Sequence, residues 1–154
     1  HDEIGWNYRM SNLQAAVGLA QLEKLKTLIK IKRKVGNIYF SSLSKNKYLD
    51  LQPFKTKYSK NIYWVFGAVL KKNTPITLEN LRSKLLKKGI QTRPFFYSLH
   101  KQPLLKKFRL KNNIKLVNAE YLSKRGFYLP SGLALKERQI KFVINELKKI
   151  LSKI

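Results

Sequence analysis

Apolar positions recur at helical spacing through the first third of the chain. From Leu13 to Ser42 they return every three or four residues, which predicts one long α-helix. Ser11 and Gln14 stand where a capping box places its serine and glutamine, so the helix should begin beside them. We expect Gly36 to bend or loosen the last turns, because glycine is a poor helix former. A helix this long favours a role in a larger assembly.

The pattern changes in the middle of the chain. Residues 61–70 (NIYWVFGAVL) are rich in β-branched and aromatic residues and apolar on both faces, which predicts the central strand of a covered sheet. Further strands are predicted at 49–51, 89–93 and 127–129, and further helices at 78–88, 104–108, 116–123 and 136–152. Thr77 should cap the helix that Gly89 ends. This order predicts an α+β (α/β) fold, with a long N-terminal helix leading into a small few-stranded sheet covered by helices.

Positive charge dominates the composition. The chain has 33 Lys and Arg against 8 Asp and Glu, a formal net charge of +25. Such charge is typical of nucleic-acid-binding proteins. However, lysine far outnumbers arginine and the lysines are spread along the chain, which favours a solvated lysine-rich surface. A basic nucleic-acid-binding module therefore stays as an alternative of another class.

Several kinds of site are not expected. The chain has no cysteine and its two histidines, His1 and His100, are far apart in sequence, so we predict no metal site. No apolar run is long enough to span a bilayer, and the polar start does not resemble a signal peptide. These features fit a cytoplasmic protein with no membrane partner. No phosphate-binding loop or dinucleotide fingerprint is present.

Two segments nevertheless carry residues suited to ligand binding. Residues 6–12 (WNYRMSN) precede a helix N-terminus, where free N–H groups favour a phosphate, and Asn7 and Arg9 can donate hydrogen bonds to one. Residues 92–103 (TRPFFYSLHKQP) set Arg93, Tyr97 and His100 among aromatic residues and prolines, as in a pocket wall. From the local patterns alone, a capped helix start and a packed surface loop are the favoured interpretations of these two segments.

The order of these segments carries a resemblance to a known family. Residues 5–22 resemble the segment that joins the two domains of the DegT/DnrJ/EryC1/StrS aminotransferases. Residues 89–97, with Leu99, His100 and Pro103, resemble the substrate-side loop of that family. Residues 118–120, 122–123 and 129–132, followed by a closing helix, resemble the family's C-terminal end, so the resemblance covers essentially the whole chain.

The resemblance implies a fold-type-I enzyme that uses pyridoxal phosphate (PLP). Such an enzyme, usually a homodimer, transfers an amino group, commonly from glutamate, to a nucleotide-linked keto sugar for surface polysaccharide (including lipopolysaccharide), glycan or antibiotic synthesis. Asn7 would bind the phosphate of the PLP held by the other subunit, and Arg9 would lie near the substrate or cofactor phosphates. Arg93, Tyr97 and His100 would line the sugar-nucleotide site.

The resemblance also implies what the sequence lacks. Residues 1–154 would be the C-terminal small domain with its inter-domain loop and long helix. The lysine that binds PLP covalently would lie upstream in a large domain, so no catalytic residue is assigned and the chain alone should be inactive. A related branch has histidine in place of that lysine and catalyses dehydration. A dehydratase and a non-catalytic regulator of the same family are therefore alternatives.

Overall fold

The computed structural model describes residue 3 and residues 5–107 and 116–154. Its helices and strands, in chain order, are α1 (Asn12–Glu23), α2 (Leu25–Leu43), β1 (Leu49–Leu51), β2 (Phe66–Leu70), α3 (Leu78–Leu86), β3 (Arg93–Pro94), α4 (Pro103–Lys107), α5 (Val117–Arg125), β4 (Gly126–Leu129) and α6 (Glu137–Ser152). A short 3₁₀ helix, Leu99–Lys101, lies between β3 and α4. Helices around one small sheet confirm the predicted α+β class.

The strands form an antiparallel sheet in the order β1-β2-β4-β3. All of β2 is buried, as expected of a central strand with both faces covered. On one face, Phe66 and Phe127 join a core with residues of α2, α3 and α6. On the other face, α5 packs against β2, β3 and β4. The strand is shorter than predicted, because residues 61–65 form a loop.

The prediction of one helix from Leu13 to Ser42 is wrong at Lys24. There the backbone N–H of Lys24 bonds the carbonyls of Gln21 and Leu22, α1 ends, and α2 begins at the next residue. The break contains neither glycine nor proline, so apolar spacing alone does not reveal it. The predicted capping box is confirmed: the Ser11 N–H donates to Gln14 Oε1 at 2.8 Å, and the Gln14 N–H donates to Ser11 Oγ at 3.3 Å.

Gly36 does not loosen the helix as expected. It lies buried within α2, and a Cβ atom there would stand 2.2 Å from Cδ2 of the Tyr63 ring. Glycine is therefore required at this position for the close approach of an aromatic ring to the helix backbone.

The remaining element boundaries differ by small amounts. Thr77 caps α3 by accepting the Asn80 N–H at 3.2 Å, and Gly89 follows the helix with a φ of +74°. The strand predicted at 89–93 is found at 93–94, with Pro94 on the edge of the sheet, where proline is tolerated. The helix predicted at 104–108 begins at Pro103, and Phe108 lies outside the described residues.

The described residues offer neither a membrane-spanning helix nor a cluster of metal ligands. No described helix is long and apolar enough to cross a membrane. Among residues 3, 5–107 and 116–154, no group of three or more His, Cys, Asp or Glu side chains is arranged to hold a metal ion.

Candidate active site

An open cavity of about 590 Å³ lies at one end of the sheet. The start of β2, the start of β3 and the end of β4 meet there because neighbouring strands are antiparallel. Side chains at the cavity include a lysine, an arginine, an amide and three aromatic residues: Lys32, Arg93, Gln91, Trp64, Phe96 and Tyr128. Cations and aromatic rings together make this the main candidate for ligand binding in the described residues.

Lys32 connects the segments that line this cavity through hydrogen bonds. It precedes Val35 and Gly36 by about one helical turn, so it shares the inward side of α2 with them. Its ammonium donates to the carbonyl of Trp64 at 2.7 Å and to that of Ser131 at 2.6 Å. Partial burial lowers the pKa of Lys32 from its ordinary value. The contacts tie α2 to the loops before β2 and after β4.

Tyr63 has a left-handed backbone, with a φ of +52°, which is unfavourable for a bulky residue. The surrounding structure holds it there. Its ring is buried beside Gly36 and stacks on Phe66 with ring centroids 5.6 Å apart, and its N–H donates to Asn61 Oδ1 at 2.7 Å. The turn directs the next side chain, Trp64, outward, where it is 66% exposed at the cavity.

The loop after β3 is anchored at two points. The Phe95 ring stacks on Tyr128 with centroids 4.6 Å apart, and it covers Gly126, where a Cβ atom would lie 2.2 Å from the ring. Further along, Ser98 Oγ donates to the Ala119 carbonyl of α5 at 3.1 Å. The segment between these anchors leaves Phe96 and Tyr97 exposed to solvent.

His100 and Lys101 continue the attachment to α5 through one carboxylate. His100 Nε2 lies 3.1 Å from Glu120 Oε1, and Lys101 Nζ lies 2.5 Å from Glu120 Oε2. The hydrogen bond from Lys101 and then that with His100 hold the pKa of Glu120 below its ordinary value. The other ring nitrogen, His100 Nδ1, is buried and has no hydrogen-bond partner in the described part of the chain.

Asn7 and Arg9 lie in the irregular segment before α1, and both are exposed. Their amide and guanidinium groups are hydrogen-bond donors, and the capped N-terminus of α1 follows directly. This donor set fits the phosphate of a cofactor such as PLP.

Comparison of the sequence with known protein families identifies the family of this chain. The sequence profile of the DegT/DnrJ/EryC1/StrS aminotransferase family matches residues 1–148. The chain belongs to this family. The resemblance stated from the sequence is thereby confirmed.

Individual family members are considerably longer than this chain. GDP-perosamine synthase of Vibrio cholerae is 36% identical over 149 residues, which are 96% of this chain and 39% of the relative. The solved Escherichia coli GDP-4-keto-6-deoxy-D-mannose-3-dehydratase with bound hydrated PLP is 25% identical, with a TM-score of 0.74 over 93% of this chain and 36% of its own. Helicobacter pylori PseC, an aminotransferase of pseudoaminic acid biosynthesis, shares the fold at 20% identity, with a TM-score of 0.83 over 99% of this chain and 40% of its own. The chain thus spans about two fifths of these proteins.

Within this DegT-family chain, the predicted site residues do not form one cluster. Arg93 lines the cavity, whereas His100 contacts α5, and Tyr97 is exposed on the loop that joins them. Asn7 and Arg9 are not among the cavity residues. The binding roles of all five residues stay predictions.

Sequence patterns missed Lys32, Trp64 and Glu120. A lysine on the inward stripe of a helix is unusual, and this was the available signal for Lys32. Glu120 is one of few acidic residues in a very basic chain. Trp64 carried no such signal, because it lies within an apolar run that predicted burial.

Proposed function

We propose that this chain is the C-terminal small domain, with the inter-domain segment, of a cytoplasmic PLP-dependent sugar aminotransferase. The whole protein transfers an amino group from glutamate to a nucleotide-linked keto sugar used in surface-polysaccharide synthesis, including lipopolysaccharide. The observation that carries this proposal is the family match over residues 1–148, together with 36% identity to a GDP-perosamine synthase.

Asn7 and Arg9 contribute to binding the PLP phosphate. The Asn7 amide donates a hydrogen bond to a phosphate oxygen, and the Arg9 guanidinium adds positive charge beside the cofactor and substrate phosphates. When bound, PLP supplies the means to take up and release the amino group. The lysine that binds PLP covalently belongs to the large domain. The residues of this chain bind and orient the cofactor and the substrate.

Arg93, Tyr97 and His100 contact the sugar nucleotide. Arg93 presents its guanidinium to the open cavity, and Tyr97 presents its exposed phenol. Glu120 holds the His100 ring in place through its 3.1 Å contact. Polar groups on one anchored loop can orient a substrate with little reorganisation.

The active enzyme is a homodimer whose active site includes residues of both subunits. Helix α1 supports this proposal because none of its residues is buried within the described chain. Apolar side chains exposed on and just before it are Trp6, Tyr8, Met10, Leu13, Val17, Leu19 and Leu22. So many exposed apolar residues in one segment mark a surface that other protein covers.

Dehydration is the second candidate reaction. It is supported by the 25% identity to the E. coli dehydratase, which is above the 20% identity to the aminotransferase PseC. The fold of the small domain does not separate the two reactions, because the residue that distinguishes them lies outside it.

The test is an assay of the full-length protein with PLP, glutamate and a GDP-linked 4-keto-6-deoxy sugar. Amino transfer predicts an aminated nucleotide sugar, seen by mass spectrometry, and an equal amount of 2-oxoglutarate. A product that has lost a hydroxyl group would show the dehydratase. A protein that binds PLP but converts no keto sugar would point to a regulator. Tight, salt-dependent DNA binding without PLP would point to the nucleic-acid module.

A further inference from the structure

We propose that the cavity at the end of the sheet binds the nucleoside diphosphate portion of the substrate. Trp64 stacks on the base, while Arg93 and Lys32 hold the diphosphate. This inference rests on the proposed function for the choice of ligand, and it assigns Trp64 and Lys32 roles that family membership does not give them.

The size and charge of the cavity suit this ligand. Its volume of about 590 Å³ lies within the usual range for small-molecule sites, roughly 300–1,000 Å³. None of the described residues that line the cavity is acidic, whereas two of them, Lys32 and Arg93, are basic. A ligand with two phosphates satisfies both cations without placing a buried charge opposite a like charge.

Lys32 and Arg93 differ in how many of their hydrogen-bond donors are already used within the described chain. Arg93 lies on the edge strand and is exposed, and its guanidinium makes no hydrogen bond or ion pair with the described residues. It is therefore available for a bidentate contact with a phosphate. Lys32 is fixed by its two carbonyl contacts, which use two of the three N–H groups of an ammonium. The third N–H can donate to a phosphate oxygen at little entropic cost.

Trp64 provides the flat apolar surface that a base requires. A tryptophan that is 66% exposed leaves a large apolar area in water, and the strained backbone at Tyr63 is what turns it outward. Strain of this kind is concentrated at functional sites. Phe96 and Tyr128 also line the cavity, with their ring centroids 6.3 Å apart, so the walls near the base are aromatic. Stacking of a base on an aromatic side chain contributes about 1–3 kcal/mol.

Separate ligands can test the two halves of this assignment. GDP carries both base and diphosphate, whereas inorganic pyrophosphate carries only the charge. In calorimetric titrations of the full-length, PLP-loaded protein, we expect Trp64→Ala to weaken GDP binding about 10-fold, as loss of stacking implies, and to leave pyrophosphate binding unchanged. Arg93→Met and Lys32→Met should weaken the binding of both ligands.

Matched controls come from the same regions. Tyr58→Ala removes an aromatic residue that is 92% exposed on the same β1–β2 connection but does not line the cavity. Lys30→Met removes an exposed lysine of α2 that is not at the cavity. Neither control should change the affinity for GDP or pyrophosphate. If Lys32→Met lowers the melting temperature strongly, Trp64→Ala and Arg93→Met carry the test, since both side chains are exposed.

Unchanged GDP affinity in Trp64→Ala, or equal losses for GDP and pyrophosphate, would overturn the stacking role. Unchanged affinity for both ligands in Arg93→Met would overturn the diphosphate role. These outcomes are distinguishable from failure of the proposed function. In that case the wild-type protein would transfer no amino group to a keto sugar, whatever its affinity for GDP.

Discussion

Tyr63 illustrates how single residues set up the cavity. Its backbone is unfavourable, yet its ring is 1% exposed and lies against Gly36 and Phe66, so burial of the ring offsets the strain. The fold therefore depends on the absence of a side chain at Gly36. Sequence reasoning identified Gly36 as unusual but assigned it the wrong effect, because its partner lies 27 residues away in sequence.

Gly36→Ala should destabilise the full-length protein. The added Cβ atom would overlap the buried Tyr63 ring, and overpacking of this kind costs about 1–3 kcal/mol. Thermal unfolding should show a lower melting temperature. Calorimetric titration should show weaker GDP binding, because a shift of Tyr63 also displaces the next residue, Trp64. Asn37→Ala, at an exposed neighbouring position of the same helix, is the control. Equal melting temperatures for the two variants would contradict the close packing at Gly36.

Glu120 makes the attachment of the substrate-side loop dependent on pH. Its pKa is lowered, first by the hydrogen bond from Lys101 and then by that with His100, so the stabilisation is present above the ordinary glutamate pKa. It is lost as the pH falls through the lowered pKa. Exchange protection of the Lys101 and Gln102 amides, which bond to Ser98 and Leu99 carbonyls, should therefore decrease in acid.

Glu120→Gln tests this link. After correction for intrinsic exchange, the variant should show reduced protection at neutral pH and little further decrease in acid, because it has no charge to lose. Glu79→Gln, at the start of α3, should behave as the wild type. A wild-type pH dependence in Glu120→Gln would assign the effect to another group.

At the scale of elements, local sequence signals located most helices and strands. The predictions of Ser11 and Thr77 as helix caps are confirmed, because a cap depends on contacts within a few residues. The errors lie where long-range packing decides. The run at 61–70 has no charged residue and is apolar after Asn61, but it becomes strand only from Phe66, where it pairs with β4. Its first part is a loop held by Arg33 and Asn61.

Thr77→Ala should destabilise α3 by roughly 1 kcal/mol, because the N–H of Asn80 loses its acceptor. For a protein of this size or larger, the melting temperature should fall by a few degrees or less. Thr27→Ala, at an exposed position of α2, should leave the melting temperature within about 1 °C of the wild type if surface substitutions behave as usual. A larger effect at Thr27 than at Thr77 would contradict the assigned cap.

At the scale of the whole molecule, the described residues combine a hydrophobic core with a helix, α1, that has no buried residue. The core around β2 includes residues of α2, α3 and α6, and its composition follows from apolar spacing. The segment before α2 has the length and polar caps of a stable helix but no buried residue. Sequence spacing predicted that a helix would form there, but it did not predict that none of its residues would be buried by the described part of this chain.

The candidate site divides in the same way. Residue types offered phosphate binding at residues 6–12 and a pocket wall at residues 92–103 as hypotheses, and the first of these stays a prediction. The cavity itself was not, because Lys32, Trp64 and Ser131 meet only in the folded chain. The formal charge of +25 added little to the prediction of the site, since the three cations assigned to ligand binding, Arg9, Lys32 and Arg93, are few among 33.

The measurement that tests the central proposal most directly is retention of PLP by full-length Asn7→Ala. The wild-type protein should absorb visible light after loading with PLP and dialysis. Asn7→Ala should lose this absorbance faster, because the cofactor phosphate has lost a hydrogen-bond donor, while Asn73→Ala, at a surface position outside the site, should match the wild type. A wild-type protein that shows no PLP absorbance under any loading condition would contradict the proposed function.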